Sequence, residues 1–161
     1  MTARRVILFC LLALGTTFPL FACKADNNPK NSSMQKEIVM DVVIFSYLNR
    51  TIFDVYLDGK DIGVAGPFGG GGVVTGVSIT SGLQTLKWTL DGPEGTPGNG
   101  NQVIVKNKLI VDPSLVPAGI YYMAVHIYPD DTAELSFSKG IPERSIRGIK
   151  IVEEFQKHHG Q

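Results

Sequence analysis

From Ile38 onward the apolar residues fall into short runs, several of period two and most ended by Gly, Pro, Asn or Asp. Such a pattern predicts an all-β domain. Residues 39–48 are almost continuously apolar and predict a central strand covered on both faces. Phe53, Val55 and Leu57 alternate with Asp54 and Tyr56. The Asp58-Gly59 pair that follows tolerates positive φ and predicts a hairpin into a short partner at residues 62–65. Val73, Thr75, Val77 and Ile79 share one face of the next strand. Leu86, Trp88 and Leu90 then alternate with Thr85, Lys87 and Thr89, with Trp88 as a core anchor.

A further strand is predicted over residues 103–111, where Val103, Val105, Leu109 and Val111 oppose Ile104, Lys106, Lys108 and Ile110. Residues 121–128 and 132–138 flank Pro129-Asp130-Asp131 and predict a hairpin, with Met123, Val125 and Ile127 facing the core on one arm and Ala133, Leu135 and Phe137 on the other. About seven or eight strands at this spacing predict an antiparallel two-sheet sandwich, Ig-like in architecture. The tail, residues 146–159, fits either a last strand or a short helix.

The first 37 residues follow a different logic. Arg4 and Arg5, an apolar run over residues 6–14 and a small residue before Cys23 have the layout of a secretory signal, and the run is short for a membrane-spanning helix. Leu20-Phe21-Ala22-Cys23 resembles the lipobox of bacterial lipoproteins, which implies acylation of Cys23 after removal of residues 1–22. The two or three acyl chains of such a protein contribute about 0.8 kcal/mol per buried CH₂ and would hold it stably on a membrane. Lys24, where an aspartate would favour retention in the inner membrane, implies delivery to the outer membrane. Residues 24–37 carry Asn27, Asn28, Pro29, Asn31, Ser32 and Ser33 and few apolar side chains, so residues 23–37 read as a lipidated flexible tether and residues 38–161 as the domain.

This processing leaves 139 residues, near the size of one domain, with 13 basic against 15 acidic residues. That balance argues against nucleic acid, which needs a basic surface to displace counterions. Cys10 leaves with the signal and Cys23 carries lipid, so no thiol remains for a disulfide or a Cys-ligated metal.

The remaining motifs are weak as chemistry. Gly69, Gly70, Gly71 and Gly72 lack a following Gly-Lys-Ser/Thr and lead into a strand, so they read as a connection or a place of close backbone approach. Gly76-Val77-Ser78 lacks the second glycine of a nucleophile elbow. His126 is the only interior histidine and reads as a surface or hydrogen-bonded structural residue. Asp58, Asp61, Asp91, Glu94, Asp130 and Asp131 occupy turns without the density of a calcium loop. His158 and His159 sit almost at the terminus and make a poor metal pair. No cofactor or metal is expected, and no catalytic set. Loop 91–101 is long, polar and exposed, the kind of segment that carries binding on a rigid sandwich.

Several segments together resemble a family of small bacterial lipoproteins encoded beside phospholipase effectors of the type VI secretion system. They are Tyr47-Leu48-Asn49-Arg50-Thr51-Ile52 leading to Val55-Tyr56-Leu57-Asp58-Gly59, the four glycines from Gly69 to Gly72, Leu86-Lys87-Trp88-Thr89, and Ala124-Val125-His126-Ile127-Tyr128-Pro129-Asp130-Asp131. They stand in the family's order across most of the domain. Thr75-Gly76 replaces a Cys-Cys pair of the family, so any role of that pair is missing here. The resemblance implies an immunity protein on the periplasmic face of the outer membrane, whose partner is a cognate secreted lipase that it binds and blocks. Under that expectation the contact surface is a loop end of the sandwich. Pro67, Phe68, Gly69, Gly70, Gly71 and Gly72 would form a pliable insert, with Asp58, Lys60, Asp61 and Glu94 as charged contacts. Two other readings stay open. An envelope or carbohydrate-binding module would need exposed aromatics, for which Tyr122 and Tyr128 are the candidates, and an enzyme would need an acid and base pair among the turn carboxylates.

Overall fold

The computed structural model describes residues 36–116 and 118–159. The signal, Cys23 and the tether up to residue 35 lie outside the described residues. Ten strands and one helix form in the order β1 (Glu37–Ser46), β2 (Ile52–Leu57), β3 (Lys60–Ala65), β4 (Gly70–Thr80), β5 (Gly82–Gln84), β6 (Leu86–Leu90), β7 (Gln102–Ile104), β8 (Leu109–Val111), β9 (Tyr122–Ile127), β10 (Ala133–Ser138) and α1 (Ile146–His159). Two four-stranded sheets, β10-β9-β1-β4 and β3-β2-β6-β7, pack face to face, with β5 and β8 as a separate ribbon. The all-β sandwich is the one that the periodicity predicts, with ten strands rather than seven or eight. All strand pairs are antiparallel except β1 and β9, which run parallel.

The core lies between the sheets. Met40, Val42 and Ile44 of β1, Met123, Val125 and Ile127 of β9, and Leu57, Leu86 and Trp88 of the second sheet are all buried in it. Two parity predictions fail at bulges. In β2 the four residues from Ile52 to Val55 face three on β3 from Ala65 to Gly63, and Asp54 takes φ +49° there. Ile52 thereby replaces Phe53 on the inner face. In β4 the four residues from Val74 to Val77 face three on β1 from Val42 to Met40, with Gly76 at φ +70°, so Val74 packs on the core while Val73 is exposed. The predicted strand over 103–111 is two strands. β7 continues the second sheet beside β6, whereas β8 pairs with β5. The break falls at Asn107, whose side chain accepts from Ala133 N at 2.8 Å and donates to Ala133 O at 2.9 Å.

Glycine sets two close approaches. A Cβ on Gly71 would stand 2.3 Å from Val64 O, so the corner between β3 and β4 closes only with glycine there. The glycine run therefore starts a strand instead of forming a free connection. A Cβ on Gly148 would stand 1.9 Å from Tyr47 Cζ, so the backbone of α1 rests directly on that ring. The tail is thus a helix, seated through Gly148, Ile151, Val152 and Phe155 at helical spacing while Ile146 and Ile149 stay exposed.

Candidate functional site

The seat of α1 is a hydrogen-bonded chain. Ser145 N donates to Tyr47 Oη at 2.9 Å, and Tyr47 Oη is hydrogen-bonded to His126 Nδ1 at 3.1 Å. Nε2 of His126 is hydrogen-bonded in turn to Ser136 Oγ at 3.0 Å. On the other branch Gly148 N donates to Ser145 Oγ at 3.0 Å, which caps the helix. Ser145 Oγ pairs with Tyr128 Oη at 2.8 Å, and Tyr128 Oη donates to Glu134 Oε2 at 2.7 Å. Burial pushes the His126 pKa down, against a smaller upward pull from Glu134, and pushes the Tyr128 phenol well up. His126 is 2% exposed and stacked on Phe45 at 5.3 Å. With both ring nitrogens taken by hydroxyls, it is a structural hydrogen-bonding residue.

Arg147 lies over Tyr128, 3.8 Å from the ring centroid, and pairs with Asp130 Oδ2 at 2.8 Å. Tyr128 is therefore fully buried, and only Tyr122 of the expected aromatic pair retains access.

Loop 91–101 is held by two side chains. Arg50, leaving the turn between β1 and β2, donates from Nε to Asp91 O and from Nη1 to Pro97 O, both at 2.9 Å, and from Nη2 to Asn99 Oδ1. Asn99 Nδ2 donates in turn to Gly92 O and Pro93 O at 2.9 Å. Main-chain bonds close the base, with Leu90 N to Asn101 O at 3.0 Å and Gly100 N to Leu90 O at 2.9 Å. A loop with no apolar core of its own is thus fixed by charge-assisted and amide bonds. Together with residues 49–51 and Pro67, its arc over residues 92–97 encloses a hollow of about 370 Å³. A more open hollow of about 610 Å³ runs along α1 between Pro129 and Glu154.

The residues expected to form one contact surface separate into two groups. Pro67, Phe68, Gly69 and the loop that carries Glu94 lie at the Ile52 and Leu90 ends of β2 and β6. Asp58, Lys60 and Asp61 lie at the opposite ends, beside Leu57 and Leu86. There Asp58 Oδ1 accepts from Thr85 N and Oγ1, each at 3.0 Å, Asp61 Oδ1 accepts from Gly63 N at 2.8 Å, and Lys60 donates to Ser78 O. Phe68 is pinned at φ +46°, its ring 4.5 Å from that of Phe155 and its carbonyl accepting from Arg144 Nη2 at 2.6 Å. A bulky residue in that region is held only by surroundings that over-determine it. Gly70, Gly71 and Gly72 are strand residues of β4. Arg50 was legible only as part of a motif, because the carbonyls it gathers lie more than 40 residues away.

Among the described residues no group of three or more His, Cys, Asp or Glu side chains is placed to hold a metal, and no helix is long and apolar enough to cross a membrane. Comparison with protein-family models, with curated proteins and with solved structures finds no match.

Proposed function

We propose that this chain is a lipid-anchored immunity protein that faces the periplasm from the outer membrane and blocks a type VI secretion phospholipase by binding it. The observation that carries this reading is the Arg50-fixed loop, whose arc with residues 49–51 and Pro67 offers a preformed hollow flanked by the exposed Glu94. A surface ordered before binding avoids the entropy of ordering a loop on contact, one of the costs that separate affinity from buried area. The lipobox-like Cys23 and the ordered motifs support the same reading from the sequence. Within the fold, those motifs have structural work: Tyr47, His126 and Tyr128 seat the helix, Arg50 fixes the loop, Gly71 closes a corner and Trp88 fills the core. The resemblance therefore speaks to a shared scaffold, and the partner is chosen by the loop surface that the scaffold holds.

The test is a titration of the full lipidated chain, in detergent, into the phospholipase encoded nearest its gene. Stoichiometric loss of lipase activity is expected. An active lipase at tenfold excess of correctly folded chain, with no complex by size-exclusion chromatography, overturns the proposal. An exposed aromatic face, which a carbohydrate-binding module would use, is disfavoured by the burial of Tyr128 beneath Arg147.

A further inference from the structure

The β5–β8 ribbon breaks the rule of apolar inside and polar outside. Its inner positions Gln84, Leu109 and Val111 are buried, yet the cross-strand pair on its outer side is Leu83 and Ile110, exposed at 62% and 60%. Leu115, in the turn that follows β8, is 71% exposed. Lys108 stands exposed at the head of β8. Leu83 and Ile110 beside Lys108 on the outer side of the ribbon match the boundary between acyl chains and anionic headgroups.

The position of the ribbon says which surface it meets. Lys36 N donates to Ser81 Oγ at 3.0 Å and Ser81 N donates to Lys36 O at 2.9 Å, so the chain enters the domain one residue from β5. Lys36 lies thirteen positions after Cys23. Thirteen residues span at most about 45 Å fully extended and about 20 Å as a flexible coil. An anchor at Cys23 therefore joins the domain at this corner, beside β5.

We propose that the outer face of the β5–β8 ribbon, with Leu83 and Ile110 at its centre, rests in the headgroup region of the membrane that carries the lipid anchor. This rests on the reading of Cys23 as acylated. It orients the molecule: β1 runs about 33 Å from the tether entry to the turn that bears Arg50, so the loop hollow points away from the bilayer toward an arriving partner.

The test uses the full lipidated chain in vesicles of phosphatidylethanolamine and phosphatidylglycerol, with Leu83→Cys, Ile110→Cys or Glu94→Cys labelled by an environment-sensitive fluorophore. Each thiol is unique in the processed chain once Cys23 is acylated. Spin-labelled lipid is expected to quench the fluorophore at positions 83 and 110 at least about twofold, leaving position 94 unquenched, as interfacial insertion requires. Acylation is measured separately by incorporation of labelled fatty acid. An acylated chain with equal quenching at all three positions overturns the ribbon contact alone. Failure to incorporate fatty acid overturns the anchoring and the ribbon contact together. Fluorescence at position 83 that responds to the phospholipase and not to spin-labelled lipid assigns the face to the partner and likewise overturns the membrane contact.

Discussion

Helix α1 and loop 91–101 both lie outside the sandwich core, and they are fastened by opposite means. The helix is held by desolvation. Gly148 lets its backbone touch the Tyr47 ring, and a buried relay of hydroxyls and one imidazole fixes its first turn. The loop is held near solvent, by a guanidinium that gathers main-chain carbonyls from both of its arms. Buried hydrogen bonds are costly to lose and sensitive to protonation, whereas part-exposed charged ones contribute less to stability and more to local order. The helix seat is thus a stability element, and the loop clamp is a device for shape.

The sharpest break is at Gly148. Gly148→Val places a branched side chain inside the Tyr47 ring and is expected to unseat α1 at a cost of about 3 kcal/mol or more, the upper end of overpacking effects. Circular dichroism and denaturant titration check this through loss of the helical signal with the sheet retained. Tyr47→Phe comes next. It keeps the ring but strands Ser145 N and His126 Nδ1, and about 1–3 kcal/mol of unfolding free energy is expected to disappear. Arg50→Ala reverses the balance. Global stability is expected to fall by roughly 1–2 kcal/mol, less than the upper values for hydrogen bonds to a charged group because these lie near solvent. Amide exchange across residues 91–101 is expected to accelerate far more than elsewhere, and, under the proposed function, lipase inhibition is expected to weaken.

Proton uptake separates the two regions further. Burial holds the folded pKa of His126 below its ordinary 6.5, so the unfolded chain takes up the proton first. Stability is therefore full above pH 6.5 and declines as pH falls below it, until the folded state titrates as well. The structural reason is that a charged imidazolium would be desolvated at this buried position, which the pull of Glu134 only partly offsets. Melting temperatures across this range are expected to fall on the acid side in the native chain and to flatten in His126→Asn, while protection of the loop amides relative to their intrinsic exchange at each pH stays level. The smallest effect belongs to Lys106→Ala, which removes an exposed ion pair to Asp131 at 2.8 Å and is expected to leave the melting temperature unchanged.

These differences also explain what the sequence could show. The strands of the core were legible because burial imposes period two, and the Asp58-Gly59 turn because both residues adopt positive φ, +50° and +76°. The bulges at Asp54 and Gly76 were not, since an extra residue leaves the apolar pattern plausible in either parity. Helix α1 was ambiguous because Ile146, Ile149, Ile151 and Val152 suit a strand, and its seat is marked by the smallest residue in it. The candidate site was legible in part. Pro67 and the Glu94 loop share one end of the molecule, but nothing in their spacing reveals that Arg50 joins them or that Asp58, Lys60 and Asp61 stand at the other end. Distant carbonyls have no sequence signature.

Under the proposed function, the preformed loop surface receives the lipase. Hydrogen–deuterium exchange of the full lipidated chain, alone and with saturating phospholipase, tests it most directly. Slow exchange is expected at Asn99, Gly100 and Asn101 in the free chain, with further protection over residues 49–51 and 91–101 on binding. Fast exchange of that loop in the free chain, or protection by the lipase confined to the Asp58 end, would contradict it.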